Sequence, residues 1–319
     1  MVKWIKKRAR LLAQIGFAAI TNGYFPGFAR GTIYKGNSKA VCAPGLNCYS
    51  CPGALGSCPI GALQATLGDR NYHFAFYVVG FLLVVGAVLG RFVCGWLCPF
   101  GLVQDLLAKI PFPKKKLRRL PGDAILRYLK YFILLVFVLI LPMFAVNIVG
   151  QGSPWFCQYI CPSGTLMAGL PLYALNESLR SAAGFLYAWK VGILVALVVL
   201  SLFVYRPFCR YLCPLGAIYG LFNPIAFYRI RIDAEKCTHC GACARACKMD
   251  VRIVNDRECL RCGECVSRCP TGAISCKFIA PKGGKNHEDP VRTRVDAGAS
   301  HIRGAGNGTQ PGRGGTGSL

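Results

Sequence analysis

The chain has 319 residues, 54% of them hydrophobic and only 16% charged, with a mean hydropathy of +0.41, values that exclude an ordinary soluble globular fold and describe a membrane protein. The formal net charge of +25 would suggest nucleic acid in a soluble protein, but Lys and Arg gather in blocks beside apolar segments and in the tail. They therefore read as topology signals and contacts for anionic lipid headgroups, and nothing resembles a nucleic-acid module.

A hydrocarbon core about 30 Å thick asks for roughly 20 apolar residues of helix. The first candidate, residues 11–28 ("LLAQIGFAAITNGYFPGF"), follows the basic run "KWIKKRAR" and is interrupted by Asn22, Gly23 and Pro26. It has no clear small-residue cleavage site, so it reads as a retained helix and not as a signal peptide. Stronger candidates run from Tyr72 to Gly90, from Ala124 to Val149 and from Gly184 to Tyr205. The basic runs "KWIKKRAR", "KIPFPKKKLRR" and "YRPFCR" then all fall on one side, which predicts four spanning helices in a bacterial or archaeal cytoplasmic membrane with the N-terminus in the cytoplasm. Loops 29–71 and 150–183 would lie outside, and Lys190 would snorkel to the outer interface.

Each candidate helix is followed by the same signature: "CPIGALQATL" at Cys58, "CPFGLVQDLL" at Cys98, "CPSGTLMAGL" at Cys161 and "CPLGAIYGLF" at Cys213. Successive helices end on opposite faces, so this reads as an internal inverted repeat of two helices per unit. Pro directly after Cys suits the first turn of a helix and places the thiol at the positive end of its dipole. Three copies extend to CxxxCP, through Cys94, Cys157 and Cys209. On the inner face Cys94, Cys98, Cys209 and Cys213 supply the four thiolates of one [4Fe–4S] cluster. On the outer face Cys157 and Cys161, completed first by Cys51 and Cys58, would supply another; Cys42 and Cys48 are left as alternative ligands or as a disulfide. A four-cysteine zinc site, or disulfides throughout, compete with a cluster on that face.

From about residue 230 the composition becomes that of a small soluble domain. "CTHCGACARAC" and "CLRCGECVSRCP" repeat the bacterial CxxCxxCxxxC run, in which the fourth cysteine of each run ligates the other cluster. One cluster is thus expected on Cys237, Cys240, Cys243 and Cys269, and a second on Cys259, Cys262, Cys265 and Cys247. Lys248 stands where Pro usually follows the fourth cysteine, and Cys276 reads as a spare thiol. Four histidines are too few for intramembrane bis-histidine haem, and neither haem nor a nucleotide is expected.

These motifs resemble the membrane-bound polyferredoxins of the NapH type, over about Arg8 to Phe278, through "CGWLCPFG", "CRYLCPLG", "CTHCGACARACKMDV" and "CLRCGECVSRCPTGAI". The resemblance implies an all-α polytopic membrane domain (residues 1–229) and a small α+β two-cluster ferredoxin domain in the cytoplasm (230–280); the tail beyond it (281–319) is Gly-rich and polar, a composition that reads as disordered. It also implies iron–sulfur electron transfer as a subunit of an oxidoreductase, between a cytoplasmic carrier and quinone or an extracytoplasmic reductase. The six outer cysteines depart from the family's two-motif pattern and suggest clusters on both faces. The alternative is an assembly or sensor protein whose outer cysteines handle metal or thiols. Centres at opposite surfaces of a core about 30 Å thick are too far apart for direct fast electron transfer, so either the CPxG segments re-enter the bilayer and bring the clusters inward, or a quinone or partner cofactor bridges them.

Overall fold

The computed structural model describes residues 2–68, 76–110, 120–145, 152–251 and 254–278, with side chains from residue 8 onward. The tail 281–319, most of "KIPFPKKKLRR", and His73, His287 and His301 lie outside them. Two helices are long and apolar enough to cross a membrane, Asp123–Phe144 and Phe185–Phe203. Their large side chains face outward, among them Phe132, Leu135, Phe144, Phe185, Trp189 and Val195, as helix surfaces in contact with lipid would. Phe76–Leu89 is apolar but only 14 residues long. The spanning helix Asp123–Phe144 carries a π-helical stretch, Leu134–Ile140, just before Pro142, whose missing N–H interrupts the regular ladder.

The first helix runs Val2–Thr21 and stops where Asn22 to Tyr24 break it, before a short helix Phe25–Arg30 with Pro26 in its first turn. Its polar residues point inward: Gln14 Nε2 donates to the Gly95 carbonyl (3.0 Å), and Arg10 pairs with Asp105. Arg10 and Gln14 are thus contacts of the fold, and the helix is not among those apolar enough to span.

All four CPxG cysteines share one local design. Cys58, Cys98, Cys161 and Cys213 have extended backbone (ψ 127°, 119°, 106° and 111°) because each precedes a proline, which disfavours the helical region. The proline then opens the next helix: Pro59–Leu67, Pro99–Leu107, Pro162–Gly164 and Pro214–Phe222. Upstream, the three CxxxCP copies end in a wide turn, with the second cysteine's N–H bonded to the carbonyl five residues back: Cys98 to Val93 (3.1 Å), Cys161 to Phe156 (2.9 Å) and Cys213 to Phe208 (2.9 Å).

At the C-terminal end, strand β1 (Tyr228–Ile232) pairs antiparallel with β2 (Ile274–Phe278), Ile230 opposite Cys276. Between them two short helices, Ala242–Ala246 and Glu264–Ser267, each follow a glycine in the left-handed region, Gly241 and Gly263. His239 and Arg261, each just before the second cysteine of its run, also have positive φ (54° and 51°), so the two runs are folded alike.

Candidate metal centres

Cys94, Cys98, Cys209 and Cys213 are all buried and act on one another electrostatically. Two arginines clamp this set reciprocally. Arg91, three residues before Cys94, donates from Nη2 to the Cys209 carbonyl (2.9 Å); Arg206, three residues before Cys209, donates from Nη1 to the Cys94 carbonyl (2.5 Å). Both are fully buried and each is held by a carboxylate: Arg206 by Asp105 (2.6 and 2.8 Å), Arg91 by Glu258 (2.7 Å). Arg91 directly follows the apolar segment from Tyr72 to Gly90, so hydropathy alone puts it at the membrane boundary. The signal it missed was RxxCxxxCPxG, common to both copies here and absent at Cys157, where Pro154 stands.

N–H groups aim at the sulfurs. Gly101 and Gly216, the glycines of the CPxG motifs, hydrogen-bond Cys98 and Cys213, the latter at 3.3 Å, and Gln104 Nε2 reaches Cys209 Sγ at 3.2 Å. Such donors stabilise negative charge on a ligand sulfur. Arg91 Nε and Gln104 Oε1 are buried without a partner.

In the other CPxG pair, Cys157 has Cys161, Cys58 and Cys48 as electrostatic neighbours, and Cys161 has Cys48 and Cys58. Cys51 faces Cys48 and Lys39, and Cys42 Sγ lies 3.6 Å from Ser57 Oγ. All nineteen cysteines are free thiols in this structure. Lys190 does not snorkel outward; its Nζ donates to the Cys157 carbonyl (3.2 Å) beside the thiols of Cys48 and Cys161.

The two sets are neighbours, contrary to their expected placement at opposite membrane surfaces. The loop from Cys42 to Cys58 dips between them: the Leu46 amide bonds the Cys98 sulfur and the next amide, Asn47, bonds the Cys58 sulfur. Adjacent amides place these sulfurs on the order of 10 Å apart. A Cβ on Gly45 would stand 3.0 Å from the Cys98 Cα, so only glycine lets the loop approach this closely. Tyr219, fully buried, bonds the Pro44 carbonyl (3.0 Å) and has cysteines of both sets, Cys94, Cys98 and Cys58, as neighbours.

In the C-terminal runs, Cys259, Cys262, Cys265 and Cys247 are mutual electrostatic neighbours. Of the other four, Cys240 is exposed, Cys237, Cys243 and Cys269 are half-buried, and Cys269 Sγ sits 3.6 Å from Thr271 Oγ1. Lys248 pairs with Glu264 (3.5 Å) and stands over the Tyr205 ring. The turn 256–261 is docked on the Cys94 set: Arg91 Nη1 donates to the Arg257 carbonyl (2.9 Å) as well as to Glu258, and Asn223 Nδ2 donates to Asp256 (2.6 Å) and Cys259 (2.9 Å) carbonyls. Lys130 from the spanning helix joins Glu258 from the other side.

Burial pushes the Cys94 and Cys161 thiols up to about 12 and Cys58 to about 11, and neighbouring thiolates push each of them further the same way. Thiols so placed keep their protons until a cation displaces them, as metal binding does. A zinc ion would draw its sulfurs to about 3.8 Å from one another, given Zn–S near 2.3 Å. Among the described residues no three Cys, His, Asp or Glu converge closely enough for such a single-ion site.

Comparison with known proteins agrees with this chemistry. A family described as "4Fe-4S binding domain" matches residues 72–119, 131–172 and 186–232, and two further families of that description match 228–249 and 252–275. An uncharacterised protein of Methanocaldococcus jannaschii is 32% identical over 209 residues, 63% of this chain and 78% of that protein. The putative electron transport protein YccM of Escherichia coli K12 is 27% identical over 60% of this chain and 52% of its own length. The ferredoxin-type protein NapH of Haemophilus influenzae is 28% identical over 57% of each. No solved structure matches. A helical protein with two apolar helices of spanning length and repeated 4Fe–4S binding segments is an iron–sulfur electron-transfer protein of membrane type. The chain belongs to the NapH-type polyferredoxin family.

Proposed function

We propose that the chain is a multi-pass membrane electron carrier, a subunit of an oxidoreductase and not a stand-alone enzyme. It relays electrons between a cytoplasmic redox partner and either quinone or an extracytoplasmic reductase. Residues 1–229 form the membrane part, built as an inverted repeat around the CPxG elements. Residues 230–280 form a cytoplasmic ferredoxin domain, and the basic tail from 281 lies against lipid or a partner. In that domain Cys237, Cys240, Cys243 and Cys269 hold one [4Fe–4S] cluster and Cys259, Cys262, Cys265 and Cys247 a second. Cys94, Cys98, Cys209 and Cys213 hold a third. When bound, these groups supply one-electron transfer.

The observation that carries the reading is Arg91. Its guanidinium touches the carbonyl of Cys209 on one side and, on the other, Glu258, the residue next to Cys259. The Arg91–Glu258–Lys130 group thus fixes the ferredoxin ligands against the Cys94 set, and burial keeps water out of the junction. Arg206 and Arg91 supply the positive charge that an anionic centre requires in a low-dielectric site. Iron and acid-labile sulfide analysis of the anaerobically purified protein tests it, with EPR after dithionite reduction. Cys98→Ser is expected to remove about four irons and one reduced-cluster signal, while leaving the about eight irons of the ferredoxin domain. An unchanged iron content in Cys98→Ser would overturn the assignment.

A further inference from the structure

We propose that Cys48, Cys58, Cys157 and Cys161 bind a [4Fe–4S] cluster of their own, beside that of the Cys94 set, with Cys48 and not Cys51 as its fourth ligand. The proposal rests on the iron–sulfur reading above but on different residues.

Geometry brings these four together. A Cβ on Gly61 would lie 3.8 Å from Cys157 Sγ and 3.9 Å from Cys58 Cβ; one on Gly164 would lie 3.6 Å from Cys48 Sγ and 3.9 Å from Cys161 Sγ. The two CPxG glycines therefore line one sulfur cradle that a side chain would begin to fill. Cys48, and not Cys51, is a leading neighbour of Cys58, Cys157 and Cys161, and Cys42 Sγ lies against Ser57 Oγ.

The set is built like the Cys94 set. Gly61 and Gly164 donate to Cys58 and Cys161, the latter at 3.4 Å, as Gly101 and Gly216 do to Cys98 and Cys213. Gln64, six residues after Cys58, reaches Cys157 Sγ at 3.3 Å; Gln104, six residues after Cys98, reaches Cys209 Sγ at 3.2 Å. In this correspondence Cys48 takes the place of Cys94. It stands ten residues before its CPxG cysteine instead of four, so a longer loop, and not a helical turn, delivers it.

Charge gives an independent argument. Lys190 lies in a helix of spanning length, where a charged side chain is costly and needs a counter-charge. Among the described residues no carboxylate pairs with it; its neighbours are the Cys157 carbonyl and the thiols of Cys48 and Cys161. Lys39 is buried too, its Nζ donating to the Tyr49 carbonyl beside the thiols of Cys51 and Cys48. Two cations around thiols with no acid nearby are what a bound anionic cluster would balance. The match of a 4Fe–4S binding family to residues 131–172 covers Cys157 and Cys161 as well.

The test is metal content of the full chain purified anaerobically in detergent, with zinc and iron measured together. Wild type is expected to hold about sixteen irons, and Cys48→Ser and Cys161→Ser about twelve each, at four irons per cluster. Cys51→Ser, a change in the same loop, is expected to keep about sixteen, which controls for loop folding. In the dithionite-reduced protein, the broadening that the Cys94-set cluster gains from a neighbour on the Cys48 side is expected in wild type and Cys51→Ser and lost in Cys48→Ser, where only coupling among the Cys94-set and ferredoxin clusters is left. Iron lost from Cys51→Ser but kept in Cys48→Ser would overturn the ligand choice. About twelve irons in wild type, dropping to about eight in Cys98→Ser and unchanged in Cys48→Ser, would overturn this site while leaving the relay intact. Four-cysteine zinc at the site would overturn it as well.

Discussion

Two arginines that hydropathy places at the membrane boundary instead lie inside the protein, each bonded to a carbonyl of the opposite CxxxCP motif. The same holds for two glutamines inside apolar runs, which turn to cysteine sulfurs across the molecule. A donor to a ligand sulfur favours the more negative, reduced state of the centre it serves, so its removal should make reduction harder. Gln104→Leu is expected to lower the midpoint potential of the Cys94-set cluster by roughly 40 mV, the equivalent of about 1 kcal/mol for one electron. An EPR-monitored redox titration would show it, with the ferredoxin potentials unmoved. Asp105 allows a prediction about stability. Burial alone would raise its pKa, but Arg206 and Arg10 hold the carboxyl well below the usual carboxylate range. Its contribution is therefore present above about pH 4, where the unfolded carboxyl ionises, and is lost as pH falls through the lower folded value. Asp105→Asn, leaving Arg206 buried and uncompensated, is expected to cost about 3–5 kcal/mol at neutral pH, seen as a lower thermal midpoint.

Among the elements, the CPxG helix starts were legible because every cause is local: extended backbone before proline, proline in the first turn, glycine where the amide meets the sulfur. The doubled CxxCxxCxxxC run was legible for the same reason, and its spacing anticipates the grouping of Cys247 with Cys259, Cys262 and Cys265. What joins the elements was not legible. Residues 44–47 and 256–261 carry no motif, and their partners lie far away in sequence: Leu46 at Cys98, Glu258 at Arg91 and Lys130. Only Gly95 hints at the second junction, since a Cβ there would meet the Leu260 carbonyl oxygen at 2.4 Å. Gly95→Val should therefore lift the 256–261 turn off the Cys94 set, a clash of the kind that costs about 1–3 kcal/mol. Hydrogen exchange should rise across residues 256–261, and reduced ferredoxin clusters should pass electrons to the Cys94 set more slowly, with iron content unchanged. Unaltered exchange there would show that this contact does not hold the junction.

For the whole molecule, the consequence is how charge crosses it. Hydropathy predicted spanning helices with cysteines at both ends and thus centres separated by the thickness of the bilayer. The fold instead draws the cysteine loops inward until consecutive amides, those of Leu46 and Asn47, bond sulfurs of both sets. Backbone of this irregular kind is tolerated at depth only when protein buries it, and Leu46, Asn47 and Tyr219 are buried. The Cys259 run, the Cys94 set and the Cys48 set then form a continuous row: Arg91 spans the first gap and the Pro44–Asn47 loop with Tyr219 the second. Removing any member should break the row, which gives the proposed electron path a functional test. Purified protein reconstituted into sealed vesicles with ferricyanide trapped inside, and valinomycin with potassium to carry compensating charge, would be given external dithionite. Wild type is expected to bleach the trapped ferricyanide, one electron per ion, and both Cys98→Ser and Cys48→Ser to slow it at least about tenfold, a barrier difference of about 1.4 kcal/mol or more. If Cys98→Ser alone slows it, electrons leave the Cys94 set without using the Cys48 set. If neither does, the row is not the route.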